Sequence, residues 1–222
     1  MAARMLEGHV PFGCTAIDIG CGTGELIGVL AKLGAARLVG SDLSSEMLGH
    51  AQRRLHQGSL LASNAEALPF DSACADVLTS MDVIEHVPND GAAVAEYRRV
   101  LRPGGTLYIT VPAYQSLWCH LDDEAGHFRR YRRFEFLDLI KHAGFLVDRC
   151  SYYFAFLAPP AFVLRRTPLR RLVKDDEEQI SSSSAPVTAI LNWLSAAERV
   201  AIAQGADLPG GLSILLRAHA PQ

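Results

Sequence analysis

Strand-like and helix-like stretches take turns along this chain from Thr15 onward, and that alternation narrows its fold more than any single motif. Thr15–Ile19, Arg37–Ser41, Ser59–Ser63, Ala75–Met81, Thr106–Val111, Leu146–Tyr153 and Gly211–Ala218 are short apolar runs that read as strands. Between them, Glu25–Leu33, Ser44–His56, Asp90–Leu101 and Arg133–Ala143 carry apolar residues at helical spacing. Stops fall at Arg102-Pro103-Gly104-Gly105 and at Ala143-Gly144, and Ser44 is placed to cap the helix that follows it. Strand, helix and strand in succession imply a parallel pair with a right-handed crossover. The expected class is therefore α/β, a mostly parallel sheet with helices on both faces. With 222 residues, 49% of them hydrophobic, the chain is expected to form one domain over residues 1–222.

The first strand runs into IDIGCGTGELI, where Asp18 precedes glycines at 20, 22 and 24. Bare glycines let the backbone approach a ligand closely, and the helix that starts near Gly24 points its first amides the same way. The dinucleotide fingerprint G-x-G-x-x-G would need its third glycine at position 25, which is Glu25, so a nicotinamide or flavin reading is disfavoured. The second strand, RLVGSD, ends in Asp42, and an acid at that tip can accept both hydroxyls of a ribose. A nucleoside ligand is expected.

Composition excludes several other functions. A net charge of −3 argues against a surface built to wrap nucleic acid. Five scattered cysteines, Cys14, Cys21, Cys74, Cys119 and Cys150, form no C-x-x-C pair, which suits a reducing, cytoplasmic compartment. The start, MAARMLEGHVPFG, has no apolar run of signal-peptide length, and no run anywhere has the length of a membrane span.

IDIGCGTG, GSDLSSEML, SNAEALPFDSACADVLTSMDVIEHV and YRRVLRPGGTLYITVP follow one another between Ala16 and Pro112. In this order and spacing they resemble the class I S-adenosylmethionine-dependent methyltransferases of the small-molecule group called type 11, with their Rossmann-like sheet. The resemblance implies S-adenosyl-L-methionine as cofactor. It implies that Asp18, Gly20, Cys21, Gly22 and Gly24 line the methionine end, that Asp42 and Leu43 hold the ribose and adenine edge, and that Ala65 and Glu66 flank the adenine. Met81, Asp82 and His86 would lie where the fourth strand opens onto the methyl group. It further implies an antiparallel seventh strand between the fifth and sixth, with GLSILLRA as the candidate. DVIEH also reads as a plain turn before the Asn89–Leu101 helix, and Cys21 as a packing residue rather than a nucleophile.

The reaction so implied asks for an acceptor held in line and, for a hydroxyl, a base. After the fifth strand comes VPAYQSLWCHLDDEAGHFRRYRRFEF, an irregular stretch expected to face the acceptor. His127, Arg130 and Tyr131, with His86, are its catalytic candidates, and His127 with Arg130 is read as a clamp for a carboxylate or phosphate. His120, Asp122 and His127 also suggest metal ligands, but a hydrogen-bonded loop is the commoner outcome and no metal is expected.

Residues 154–210 separate the last two strands where such domains usually have a short hairpin, and are read as a helical cap. In this segment Tyr152–Leu164 is apolar or proline throughout and is followed by Arg165, Arg166, Arg170, Arg171 and Lys174, a pattern that fits peripheral membrane contact or a solvated basic rim. The cap, or the second subunit of a homodimer, would cover the cofactor. The expected function is methyl transfer to a small-molecule, lipid-linked or saccharide-linked acceptor, oxygen preferred, in secondary-metabolite or envelope biosynthesis. A non-catalytic cofactor-binding or partner subunit is the alternative.

Overall fold

The computed structural model describes residues 6, 8–55, 57–159, 162–163, 193–198, 200–202 and 204–222. Seven strands form one sheet: β1 Thr15–Ile19, β2 Arg37–Asp42, β3 Ser59–Ala62, β4 Ala75–Met81, β5 Leu101–Pro112, β6 Leu146–Tyr153 and β7 Ser213–His219. Helices α1 Glu25–Lys32, α2 Ser45–Arg54, α3 Asp90–Val100, α4 His120–Glu124 and α5 Arg133–His142 connect them. The strand order is β3-β2-β1-β4-β5-β7-β6. The pairs among β1 to β5 are parallel, and β7 runs antiparallel to both of its neighbours.

Alternation along the strands supplies two cores. In β4 and β5, Leu78 and Leu107 enter the core on the face of α3 and α5, with Tyr97 and Phe136. Their neighbours Val77 and Tyr108 enter the opposite core, with Ile27 and Leu30 of α1. Both faces are thus covered, which is why these strands read as continuous apolar runs. Ser44 caps α2 as its sequence suggests, its hydroxyl accepting the Met47 amide at 3.3 Å.

Two elements differ from expectation. The fifth strand begins at Leu101 rather than Thr106, because Leu101 pairs with Ala75 and the Arg102–Gly105 turn bulges out, Gly104 taking a φ of 75°. The stretch after β5 holds a short helix, α4, whose Asp122 carboxylate accepts the Cys119 amide at 2.8 Å.

The sheet order reverses between β1 and β4, so a crevice opens at their carboxyl ends. The described parts of the 154–210 segment pack on the opposite edge. Ile202 is buried against Tyr153 and Leu215, and the Glu198 carboxylate accepts the Ala155 amide at 3.1 Å. Arg165, Arg166, Arg170, Arg171 and Lys174 lie outside the described residues, as does most of the expected cap.

Candidate cofactor and acceptor site

Several strands turn sharply as they leave the sheet. Gly20 follows β1 at φ 67°, Asp82 follows β4 at φ 54°, Tyr114 lies two residues beyond β5 at φ 59°, and Phe154 follows β6 at φ 57°. Left-handed backbone at side-chain-bearing residues is costly and concentrates at functional sites. Glycine is required at position 20 for a second reason: an added Cβ would run into the Val83 side chain across the crevice.

Asp42 ties the second strand to the glycine loop. Its Oδ2 accepts the Gly22 amide and its Oδ1 the Ser44 amide, both at 2.8 Å. A carboxylate has about four lone-pair sites, so both oxygens retain capacity for the hydroxyls of a ligand. Beside it is a cavity of about 270 Å³ whose walls include Gly20, Asp42, Leu43, Ala65, Asp82 and His86. Leu43 is 78% exposed there, an apolar side chain left open at the rim.

Beneath the loop, Asp18 is buried, with Oδ1 accepting the Thr79 hydroxyl at 2.6 Å. Burial pushes its carboxyl up to about 7; the Thr79 bond opposes the shift and the nearby Asp42 charge adds to it. Asp82 is open to the crevice but crowded by protein, which raises its carboxyl above the usual range against the pull of Thr110, His127 and Arg130. The Asp82 amide donates to the Thr110 hydroxyl at 3.1 Å.

The acceptor-side candidates divide into two sets. His86, on the cavity wall, meets His127 edge to face with ring centres 4.5 Å apart, and burial with the His127 charge lowers its basicity. His127 is brought there by the 111–136 stretch, because the Phe128 amide donates to the Glu85 carbonyl at 2.7 Å. Its Nδ1 lies 2.8 Å from Asp122 Oδ1.

Arg130 and Tyr131 make contacts within the protein. The Arg130 Nε donates to Asp122 Oδ1 at 2.7 Å and its Nη1 to the Ala113 carbonyl at 3.3 Å, which engages two of the five guanidinium N–H groups with the protein. Tyr131 is buried, and its hydroxyl donates to Asp90 at 2.8 Å. Both bonds hold the stretch in place.

Of the remaining candidates, Cys21 is buried in the α1 core with Met81 packed against the same cluster, Gly24 sits at the start of α1, and the Glu66 carboxylate accepts the Asn89 amide at 2.6 Å. All five cysteines are free.

One residue that matters, Glu85, carries no role in the sequence reading, and another, Asp122, reads there only as a candidate metal ligand. Glu85 is fully buried and neither carboxylate oxygen has a hydrogen-bond partner among the described residues. Its only signal is an acid inside the apolar run Val83–Val87. Asp122, buried at 1% exposure, accepts from Arg130, Cys119 and His127 together. Burial alone would raise its carboxyl, but those donors hold it below the usual range.

An α/β sheet with this strand order, a glycine loop after β1 and an acid at the tip of β2 is the arrangement of the class I S-adenosylmethionine-dependent methyltransferases. S-adenosylmethionine is the cofactor of that class, and the residues fit it: Asp42 has capacity for ribose hydroxyls, Leu43 offers an apolar rim, and Asp18 can face an ammonium. Residues 17–109 match the family described as "Methyltransferase domain".

The ubiquinone biosynthesis O-methyltransferase of Methylococcus capsulatus is 41% identical over 113 residues, which cover 48% of this chain and 47% of that relative. The chain spans about half the length of that relative. An S-adenosylmethionine-dependent methyltransferase from Mesorhizobium loti superposes with a TM-score of 0.66 at 16% identity, covering 98% of this chain and 95% of that one. Phosphoethanolamine N-methyltransferase 2 of Haemonchus contortus, solved with S-adenosyl-L-methionine, gives a TM-score of 0.68 at 21% identity, covering 100% of this chain and 52% of that one.

Proposed function

We propose that this chain transfers the methyl group of S-adenosylmethionine to a hydroxyl of a small-molecule acceptor, which enters the crevice beside Asp82 and His86. The observation that carries this reading is the continuity of the two regions: one cavity has the ribose candidate Asp42 on one wall and two polar, titratable side chains on the other. The bound cofactor supplies an activated sulfonium methyl. Its transfer leaves a neutral thioether and, from a hydroxyl acceptor, one proton. Asp82 is the residue to take that proton, since a carboxylate whose basicity is raised by crowding is better matched to the task than an ordinary one.

Oxygen is the acceptor atom that a base here serves best, and the relatives named for ubiquinone biosynthesis are O-methyltransferases by name. The acceptor class proposed is accordingly a hydroxylated ring compound. The test is transfer of labelled methyl from S-adenosylmethionine to a panel of hydroxylated benzoquinols, with calorimetry of S-adenosylhomocysteine alongside. Cofactor binding with turnover of at least one hydroxyl acceptor supports the proposal. Binding without turnover on any acceptor would leave a cofactor-binding subunit, and no binding at all would remove the assignment.

A further inference from the structure

A fully buried carboxylate with no partner is the strongest anomaly among the described residues. Glu85 has both oxygens unsatisfied, in the turn that carries His86. Leaving such a charge alone in the interior costs several kcal/mol, so the group must be neutralised by a proton or by a cation. What surrounds it favours a cation. One ligand atom from each of Glu85, His86 and His127 lies within 4.8 Å of the others. We propose that Glu85, His86 and His127 form a binding site for a divalent transition-metal cation at the acceptor end of the cofactor crevice.

The histidines are arranged as metal ligands are. His127 Nδ1 is engaged by Asp122, which leaves Nε2 as the atom to bind. A carboxylate behind an imidazole in this way fixes the ring and raises its basicity, the usual outer support of a ligating histidine. Asp122 is itself fixed by Arg130 and the Cys119 amide, so the support is rigid. The bond from the Phe128 amide to the Glu85 carbonyl staples the stretch carrying His127 to the turn carrying the other two ligands.

Two imidazoles and one carboxylate select Zn²⁺, Mn²⁺, Fe²⁺ or Co²⁺ over Mg²⁺ or Ca²⁺, which prefer all-oxygen shells. Three protein ligands leave coordination positions open, as catalytic sites do. Because His86 is on the cavity wall, those positions face the place proposed for the acceptor. The cation would hold the acceptor oxygen and make its proton easier for Asp82 to remove. That role rests on the methyltransferase reading, whereas the binding site does not.

The test is equilibrium dialysis of the chelator-stripped full chain against Zn²⁺, Mn²⁺ and Mg²⁺, with electron paramagnetic resonance of the Mn²⁺ form. One Zn²⁺ or Mn²⁺ per chain is expected, with Mg²⁺ far weaker. Glu85→Gln should weaken binding more than roughly a hundredfold, past the 10–100-fold that outer-shell changes cost, and His86→Gln, on an exposed residue, provides the same comparison if the buried variant fails to fold. Absence of stoichiometric metal, or equal affinity in the His86→Gln chain, would overturn the site. Calorimetry of S-adenosylhomocysteine separates the two proposals: cofactor binding by a chain that takes up no metal in dialysis sinks only this one.

Discussion

Oδ1 of Asp122 lies 2.8 Å from Nδ1 of His127 and 2.7 Å from Nε of Arg130, so one buried oxygen orients a crevice imidazole and neutralises a guanidinium at once. Breaking such a buried pair from one side leaves the other charge uncompensated, at about 3–5 kcal/mol. Arg130→Met should therefore lower unfolding free energy by an amount in that range, and Arg130→Met combined with Asp122→Asn should recover most of it. Urea unfolding of the double-mutant cycle checks this. Equal stability of wild type and the single Arg130→Met variant would show that the pair is not coupled as drawn.

Asp42 holds the Gly22 and Ser44 amides as well as facing the proposed ribose site, so replacing it removes two kinds of support. Charge-assisted hydrogen bonds are worth about 1.5–3 kcal/mol, which places the loss of S-adenosylhomocysteine affinity in Asp42→Ala at roughly tenfold or more. Calorimetry on the folded variant is the measurement. An unchanged dissociation constant would place the ribose elsewhere.

Much of this architecture was readable in advance because strands and helices announce themselves through periodicity. β1, β4 and β6 match their expected bounds, and β7 lies between β5 and β6 as the resemblance implied. The acceptor side was less legible for a physical reason. Side chains at 111–136 take their roles from partners distant in sequence, such as Tyr131 with Asp90 or Phe128 with Glu85, and spacing carries no trace of those pairings. Arg130 read as an anion clamp because its neighbours are basic. Its actual anion is the protein's own Asp122, eight residues back.

Gly20 tests whether the crevice tolerates any side chain at the end of β1. Its φ of 67° strains an L-residue, and the added methyl would meet Val83. Gly20→Ala should lower stability by about 1–3 kcal/mol, the range for a residue held in sparsely populated backbone. Adding Val83→Ala should restore only the steric part. Thermal unfolding of the two variants decides it, and a Gly20→Ala chain as stable as wild type would mean that the turn relaxes freely.

Asp18 makes stability and cofactor binding respond to pH in opposite directions. Its carboxyl is raised from 3.8 to about 7, chiefly by burial, so the folded chain keeps a proton that the unfolded chain releases. Between those two values the folded state binds more protons, and the stability contribution falls as pH rises, by at most about 1.4 kcal/mol per pH unit. Below the lower value it is fully present, and above about 7 the loss is complete. Wild type minus Asp18→Asn isolates this response, since the amide cannot ionise and other groups cancel. The difference in unfolding free energy should decline from pH 4.5 to 7 and then level off. If the cofactor's ammonium lies against Asp18, at the methionine end that the resemblance implies for it, binding favours the charged carboxylate and expels its proton. Affinity should then rise with pH up to about 7, and calorimetry at pH 6 in buffers of different ionisation enthalpy should report proton release in wild type and none in Asp18→Asn. A wild-type minus Asp18→Asn difference that stays flat across pH 4.5–7 would show that Asp18 is already ionised in the free chain, and equal proton release in both proteins would place the ammonium away from it.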